Sequence, residues 1–256
     1  MTFLGFGYTT GLSAVDYYLT DWVAAPNSSE IFFSETPWRL SNVPLLYRPM
    51  SDTGAPQELP AIRNGYITFG TLTRSIRINA FCVSIWSELL KCVKGSKLIL
   101  NSQSFSDDTV REKLCILFGE HGITNERLII GFDSPPWDTY RNIDITLDCF
   151  PHNSGTTLIE SLYMGVPFVT LCGRPSVGRL GASILTTMNR REWIAEDSQE
   201  YISKAVRLAE NIDELSLIRA SLRSEMETSS IMNEAGFTRE LEDAFQGMCG
   251  RATHNN

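Results

Sequence analysis

The chain has 256 residues, 43% hydrophobic and 20% charged, enough apolar surface for one large core or two modest ones. Its net charge of −8 argues against a nucleic-acid surface, although a local basic pocket can still hold an anion. No run approaches about eighteen uncharged apolar residues, and "MTFLGFGYTTGL" lacks the basic region and apolar block of a signal peptide, so no membrane span is expected and cytoplasm is the expected compartment.

Residues 1–60 are rich in turn formers, with Pro26, Pro37, Pro44 and Pro49, and only "SAVDYYLTD" looks ordered by pattern. They are expected to be an extended leader. From Gly65 onward, short β-rich runs alternate with helical patterns: "YITFGTL", "INAFCVSIWSELLKCV", "SKLIL", "DDTVREKLCILFGEHG" and "RLIIGF". The alternation continues through "IDITLD", "TTLIESLYMG", "PFVTLC", "VGRLGASILTTM", "EWIA" and "QEYISKAVRLAE", giving about six strands, each followed by a helix or helical turn. Apolar strands separated by helices predict a parallel sheet covered on both faces, a Rossmann-like doubly wound α/β domain over residues 61–211. Two further helical patterns, 212–227 and about 236–249, occupy the tail 212–256 and should pack outside the sheet.

In such a sheet, ligands bind beyond the carboxyl ends of the strands, which singles out three loops. In "DCFPHNSGTTLIESLYMGVP", Thr157 and Glu160 have the spacing of a capping box, while Ser154, Gly155, Thr156 and Thr157 place hydroxyls and N–H groups at the positive end of a helix, where a phosphate is favoured. Both readings stay open. The loop "CGRPSVGRLGAS" sets Arg174 and Arg179 between glycines, and "GTLTRSIRIN" brings Arg74 and Arg77 to the same edge, so all three loops are expected to converge on one anionic ligand. His152 lies in this region, His121 precedes Gly122 at a helix end, and His254 is in the tail.

Other chemistries find little support. "GFGYTTG" has the wrong spacing for a dinucleotide fingerprint, and there is no P-loop, H-E-x-x-H or G-x-S-x-G. Six scattered cysteines without a C-x-x-C pair predict reduced thiols and no structural metal. Trp86 and Tyr163 fit helical faces as core residues.

The stretch "DCFPHNSGTTLIESLYMGVPFVTLCGRPSVGRLGASIL", preceded by "GYITFGTLTRSIRIN" and "GFGYTTGLSAVDYYLTD", resembles the carboxyl-terminal half of the O-linked N-acetylglucosamine transferases and the related SPINDLY proteins. The resemblance implies half of a GT-B glycosyltransferase that transfers a sugar from a nucleotide donor, UDP-GlcNAc, to a protein Ser or Thr hydroxyl, inverting and metal-independent, with no cofactor. It implies that Thr156 and Thr157 contact the donor diphosphate, with His152, Asn153, Ser154 and Gly155 in the same loop. Glu160 matches an acid that holds the ribose, and Gly5 belongs to a segment lining the sugar and acceptor side. Arg77 falls where better known members place a lysine that stabilises the leaving diphosphate, an exchange of a planar fork for a point charge. Gly155 and Pro136 stand where relatives have histidines near the base. An amino-terminal Rossmann half and tetratricopeptide repeats precede this region in the family, so the leader 1–60 is expected to belong to that other half. The alternatives are a non-catalytic nucleotide-sugar binding module and an enzyme using GDP-fucose. An epimerase of similar architecture would need catalytic carboxylates and histidines that the sequence does not assemble.

Overall fold

The computed structural model describes residues 1–3, 7–49 and 52–254. The chain runs through β1 (Tyr17–Asp21), β2 (Thr36–Leu40), α1 (Pro60–Asn64), β3 (Thr68–Leu72), α2 (Ala80–Cys92), β4 (Lys97–Asn101), α3 (Asp108–Glu120) and β5 (Leu128–Gly131). It continues with α4 (Trp137–Arg141), β6 (Ile145–Leu147), α5 (Thr156–Tyr163), β7 (Phe168–Leu171), α6 (Leu180–Thr187) and β8 (Ile194–Ala195). Three helices close it: α7 (Ser198–Glu210), α8 (Ile212–Glu227) and α9 (Glu234–His254).

Strands β3 to β8 form one sheet in the order β5-β4-β3-β6-β7-β8, with every neighbouring pair parallel. Side-chain alternation explains their unbroken apolar sequences. Leu98 and Leu100 of β4 enter a large cluster with Trp86, Leu89, Phe118 and Tyr201, while Ile99 between them joins a smaller one with Leu72, Tyr140, Ile143, Met164 and Val166. Both faces of the central strands are therefore dry, and all five residues of β3 are buried. Backbone approach is close here: a Cβ on Gly70 would sit 2.3 Å from Ile143 Cδ1 and 2.5 Å from its Cγ1. Gly70→Ala is expected to lower stability by about 1–3 kcal/mol, as over-packing does, measured by urea denaturation. Unchanged stability would mean that Ile143 has room to move.

The strand order reverses between β3 and β6, since β4 and β5 lie on one side of that pair and β7 and β8 on the other. The loops leaving β3 and β6 thus diverge and leave a crevice between them, where ligands of open parallel sheets bind.

Residues 1–60 hold more structure than a leader. β1 and β2 pair in parallel from Tyr17↔Thr36 to Asp21↔Leu40, and Thr2 bridges to Tyr18 on the other side of β1. Leu19 and Leu40 pack with Ala244 and Met248 of α9, joined by Phe3, Tyr17, Trp38, Phe237 and Leu241. Pro37 within β2 and the distance to α9 in sequence hid this sheet: its apolar partner is the last helix of the chain. The two carboxyl-terminal helices appear where periodicity placed them, as α8 and α9. Among the described residues, no helix is long and apolar enough to cross a membrane.

Candidate functional site

A cleft of about 530 Å³ occupies the crevice between the ends of β3 and β6. The loop after β3 supplies Thr73, Arg74 and Arg77, the loop after β6 supplies His152, Asn153 and Gly155, and Thr156 and Thr157 come from the first turn of α5. Gly7 from the leader and Val177 and Leu180 complete the wall. Gly7 is held with φ +73°, its carbonyl accepting from Val177 N at 3.0 Å, and a Cβ there would lie 2.8 Å from Val177 Cβ. A neighbouring hollow of about 240 Å³ shares Gly7, Val177 and Leu180 with the cleft and is lined by Tyr18, whose hydroxyl lies 3.1 Å from Ser176 Oγ.

The helices divide by how they begin: α1, α4, α5 and α6 have no side-chain cap. The amino termini of α2, α3, α7 and α8 are capped by the side chains of Asn79, Asp107, Asp197 and Asn211. At α5 the N-cap is Gly155, no side chain caps it, and the helix has already begun at Thr156. The capping box expected of Thr157 and Glu160 therefore does not form, because Thr157 lies inside the helix, two positions past the N-cap Gly155. Gly155 O takes up Leu158 N at 2.9 Å and Ile159 N at 3.2 Å, and Thr156 and Thr157, whose first-turn N–H groups have no partner within the helix, line the cleft. This end carries the partial positive charge of the helix.

The loop before it is held from beneath by a residue that sequence reasoning passed over. Asp148 is fully buried; its Oδ1 accepts from Cys149 N and Ser154 N, each at 2.8 Å, and its Oδ2 from Thr170 Oγ1 at 2.7 Å. Burial pushes this carboxyl up to about 7, opposed by the hydrogen bonds from Ser154, Thr170 and Cys149 and by the charge of Arg77. The signal was present in the sequence, as an acid closing a buried apolar run ahead of a loop full of N–H donors. Ser154 and Asn153 are also buried and structural. Ser154 Oγ donates to Thr73 Oγ1 at 3.1 Å, and Asn153 donates to Cys149 O at 2.9 Å while accepting from Gly181 N at 3.3 Å.

Arg74 is exposed and Arg77 half-buried, and neither guanidinium makes a hydrogen bond or ion pair with another described residue. Two uncompensated cations thus meet an uncapped helix end. The third loop contributes differently from the expected convergence. Arg174 lies over the Phe32 ring at 4.9 Å, and Arg179 donates to Val23 O at 2.8 Å and Gly173 O at 3.3 Å, so neither lines the cleft. Glu160 sits behind the first turn of α5 beside Tyr140, whose hydroxyl donates to Thr157 O at 2.7 Å and lies 3.3 Å from Glu160 Oε2. Burial raises the Glu160 carboxyl and the Tyr140 contact lowers it. Gly5 lies outside the described residues. Pro136 is the N-cap residue of α4, and His121 follows α3 directly.

The pattern of Glycosyl transferase family 41 matches residues 57–241. The chain is 34% identical over 255 residues to a probable UDP-N-acetylglucosamine–peptide N-acetylglucosaminyltransferase SPINDLY of Petunia hybrida, covering 98% of this chain and 27% of that protein. It is 35% identical over 256 residues to the protein of the same description in Hordeum vulgare, again over 98% of this chain and 27% of the relative. Among solved structures, a mutant O-GlcNAc transferase of Thermobaculum terrenum superposes with a TM-score of 0.86 at 31% identity, over 94% of this chain and 46% of that one. TarM, at 12% identity and a TM-score of 0.58, shares the fold alone. The chain therefore spans about a quarter of the length of these curated relatives and less than half of the solved transferase.

Proposed function

The chain belongs to glycosyltransferase family 41, and from that premise we propose that it is the donor-binding half of a protein O-glycosyltransferase acting on a nucleoside diphosphate sugar. The observation that carries this reading is the meeting, at the reversal point of the sheet, of two unpaired guanidiniums with the uncapped amino terminus of α5. A diphosphate satisfies both: its oxygens accept from the Thr156 and Thr157 N–H groups and hydroxyls, and its charge is matched by Arg74 and Arg77. The names of the relatives point to UDP-N-acetylglucosamine as donor and a peptide hydroxyl as acceptor.

In this reaction the acceptor oxygen attacks the anomeric carbon from the face opposite the diphosphate, so the sugar inverts and the diphosphate leaves carrying an additional negative charge. Arg77 is half-buried beside that leaving group, and a cation there lowers the barrier only to the extent that it binds the departing charge more strongly than the intact donor. Arginines and a helix end fill the part that a divalent ion plays in metal-dependent transferases. The acceptor and its base are left to the preceding half of the protein.

Calorimetry with UDP-GlcNAc and GDP-fucose on the full chain tests the assignment. The uridine donor is expected to bind more tightly, and Arg77→Ala to weaken it by about 1.5–3 kcal/mol, roughly 10- to 150-fold, with the melting temperature unchanged. Binding of neither donor, or equal binding of both, would remove the assignment.

A further inference from the structure

Between the two arginines and the helix end stands a side chain whose role the charges around it make specific. His152 lines the cleft with Arg74, Arg77, Thr156 and Thr157, is half-buried, and makes no hydrogen bond to another described residue. It is held by packing: the Tyr8 ring meets it edge-on, centroids 6.1 Å apart and planes at 77°. Both ring nitrogens are therefore uncommitted in the cleft that the diphosphate is to occupy.

We propose that His152 is a proton-linked contact to the donor diphosphate, neutral in the empty cleft and taking up a proton as the anion binds. The proposal rests on the cleft being a diphosphate site. In the empty cleft, burial and then the charges of Arg77 and Arg74 hold the imidazole below its ordinary 6.5. One other group near Arg77 titrates close to neutrality, the Asp148 carboxyl, which burial raises to about 7. Asp148, beneath the loop, is tied to Cys149, Ser154 and Thr170, and Glu35, under the leader, is held ionised by Thr9 and Thr10. Among the described residues, no carboxylate lines the cleft to charge the imidazole in advance.

A bound diphosphate reverses the balance. It brings negative charge within reach of His152 and offsets both arginines, so the charged form of the ring becomes favoured and an N–H of the imidazolium can donate to a phosphate oxygen. The sign follows from linkage. A group whose affinity for protons rises on binding makes the complex tighter at low pH, and the gain is lost as pH climbs through the value in the complex. Each unit of that rise is worth about tenfold in affinity. When the sugar departs, the diphosphate gains negative charge, and the imidazolium already stands beside it. Among the described residues lining the cleft, His152 is the side chain that ordinarily titrates near neutrality, so it can follow the charge of its ligand.

The test is calorimetric titration of the full chain with UDP-GlcNAc, whose diphosphate diester neither gains nor loses a proton between about pH 6 and about pH 8.5, so any proton counted belongs to the protein. Repeating the titration near neutral pH in buffers of different ionisation enthalpy gives the number of protons bound. The expected result is net uptake of about half to one proton, with the dissociation constant about tenfold smaller at the acid end of the range than at the alkaline end. His152→Gln keeps a hydrogen-bond donor of similar size, and in it both the uptake and the pH dependence should vanish while a thermal melt stays in place. Binding by the unaltered chain without proton uptake would overturn the proposal, and so would equal uptake by His152→Gln. If that variant does not fold, Asp148→Asn decides, since it keeps acceptors and donors for the loop but cannot take up a proton at that position: uptake that persists in it belongs to His152, and uptake that disappears counts against the proposal. Failure of both UDP-GlcNAc and GDP-fucose to bind at any pH would instead remove the diphosphate site, and this role of His152 with it.

Discussion

Asp148→Ala is expected to lower folding stability by about 3–5 kcal/mol and to abolish nucleotide binding in whatever fraction still folds. The carboxyl is fully buried, and its loss strands three donors that have no water to turn to: Cys149 N, Ser154 N and Thr170 Oγ1. Two of the three are backbone groups of the loop that leads to Gly155, so the fault propagates to the start of α5. Asp148→Asn should behave quite differently. Its amide oxygen can accept both backbone donors where Oδ1 does now, and its NH₂ can donate to Thr170, so most of the network survives.

The two variants also separate by pH. Burial raises the Asp148 carboxyl from 3.8 to about 7, so the folded chain keeps a proton that the unfolded chain has given up. That contribution is complete below the unfolded value and is lost as pH rises through about 7. The unaltered protein should therefore lose stability across this window relative to Asp148→Asn, which has no such proton. Urea denaturation at about pH 5 and about pH 8 measures both effects. An alanine variant as stable as the parent would mean that the loop holds itself without Asp148.

Arg219→Ala should be comparably damaging for folding and should leave the chemistry of the cleft alone. Arg219, only 2% exposed, leaves α8 to donate to Gln57 O and Ile143 O at 2.8 Å and to Tyr140 O and Arg141 O at 3.4 Å. Through it the carboxyl-terminal helices, the end of the leader and the approach to β6 are fastened at one point. Asp144 is fully buried, accepts from Ala61 N and Thr68 N and feels the charges of Arg219 and Arg63, so removing Arg219 takes away one of its two cations along with the guanidinium hydrogen bonds to four carbonyls. A loss of about 3–5 kcal/mol follows. Arg219→Lys should recover only part of it, because one ammonium cannot reach carbonyls that a guanidinium fork serves together. Urea melts read the stability, and nucleotide titration of the folded fraction should give an unchanged dissociation constant. A weakened constant would show that α8 holds the cleft in shape.

Much of this was legible along the chain. Runs such as "SKLIL" and "PFVTLC" read as parallel strands because both of their faces are covered, and the structure places them as β4 and β7 in a doubly wound α/β sheet of six parallel strands. That sheet is half of the GT-B architecture implied by the resemblance, as the superposition on the solved transferase shows. The cleft itself could be located because the ends of β3 and β6 are set by strand order, and their loops carry Arg74, Arg77 and His152 through Thr157.

Less legible were the features that depend on partners remote in sequence. The leader gave no hint that β2, with Pro37 inside it, pairs with β1 and is covered by α9. Thr157 and Glu160 have capping spacing, yet where a helix begins depends on the loop before it, and Asp148 draws that loop under the sheet so that Gly155 becomes the cap. Arg174 and Arg179 looked equivalent to Arg74 and Arg77 by composition. They differ because the Phe32 ring and the Val23 carbonyl, from a part of the chain remote in sequence, and the Gly173 carbonyl of their own loop engage the former pair.

By itself the sequence determined the strand and helix alternation, the sheet it builds and the loops at the strand ends that line the cleft, because periodicity and chain order are local properties. Which cations remain unpaired, which acid is buried under the loop and which helix end is left uncapped were decided only by the tertiary structure. Charge and hydrogen-bonding capacity are satisfied in space, by whichever groups the fold brings near.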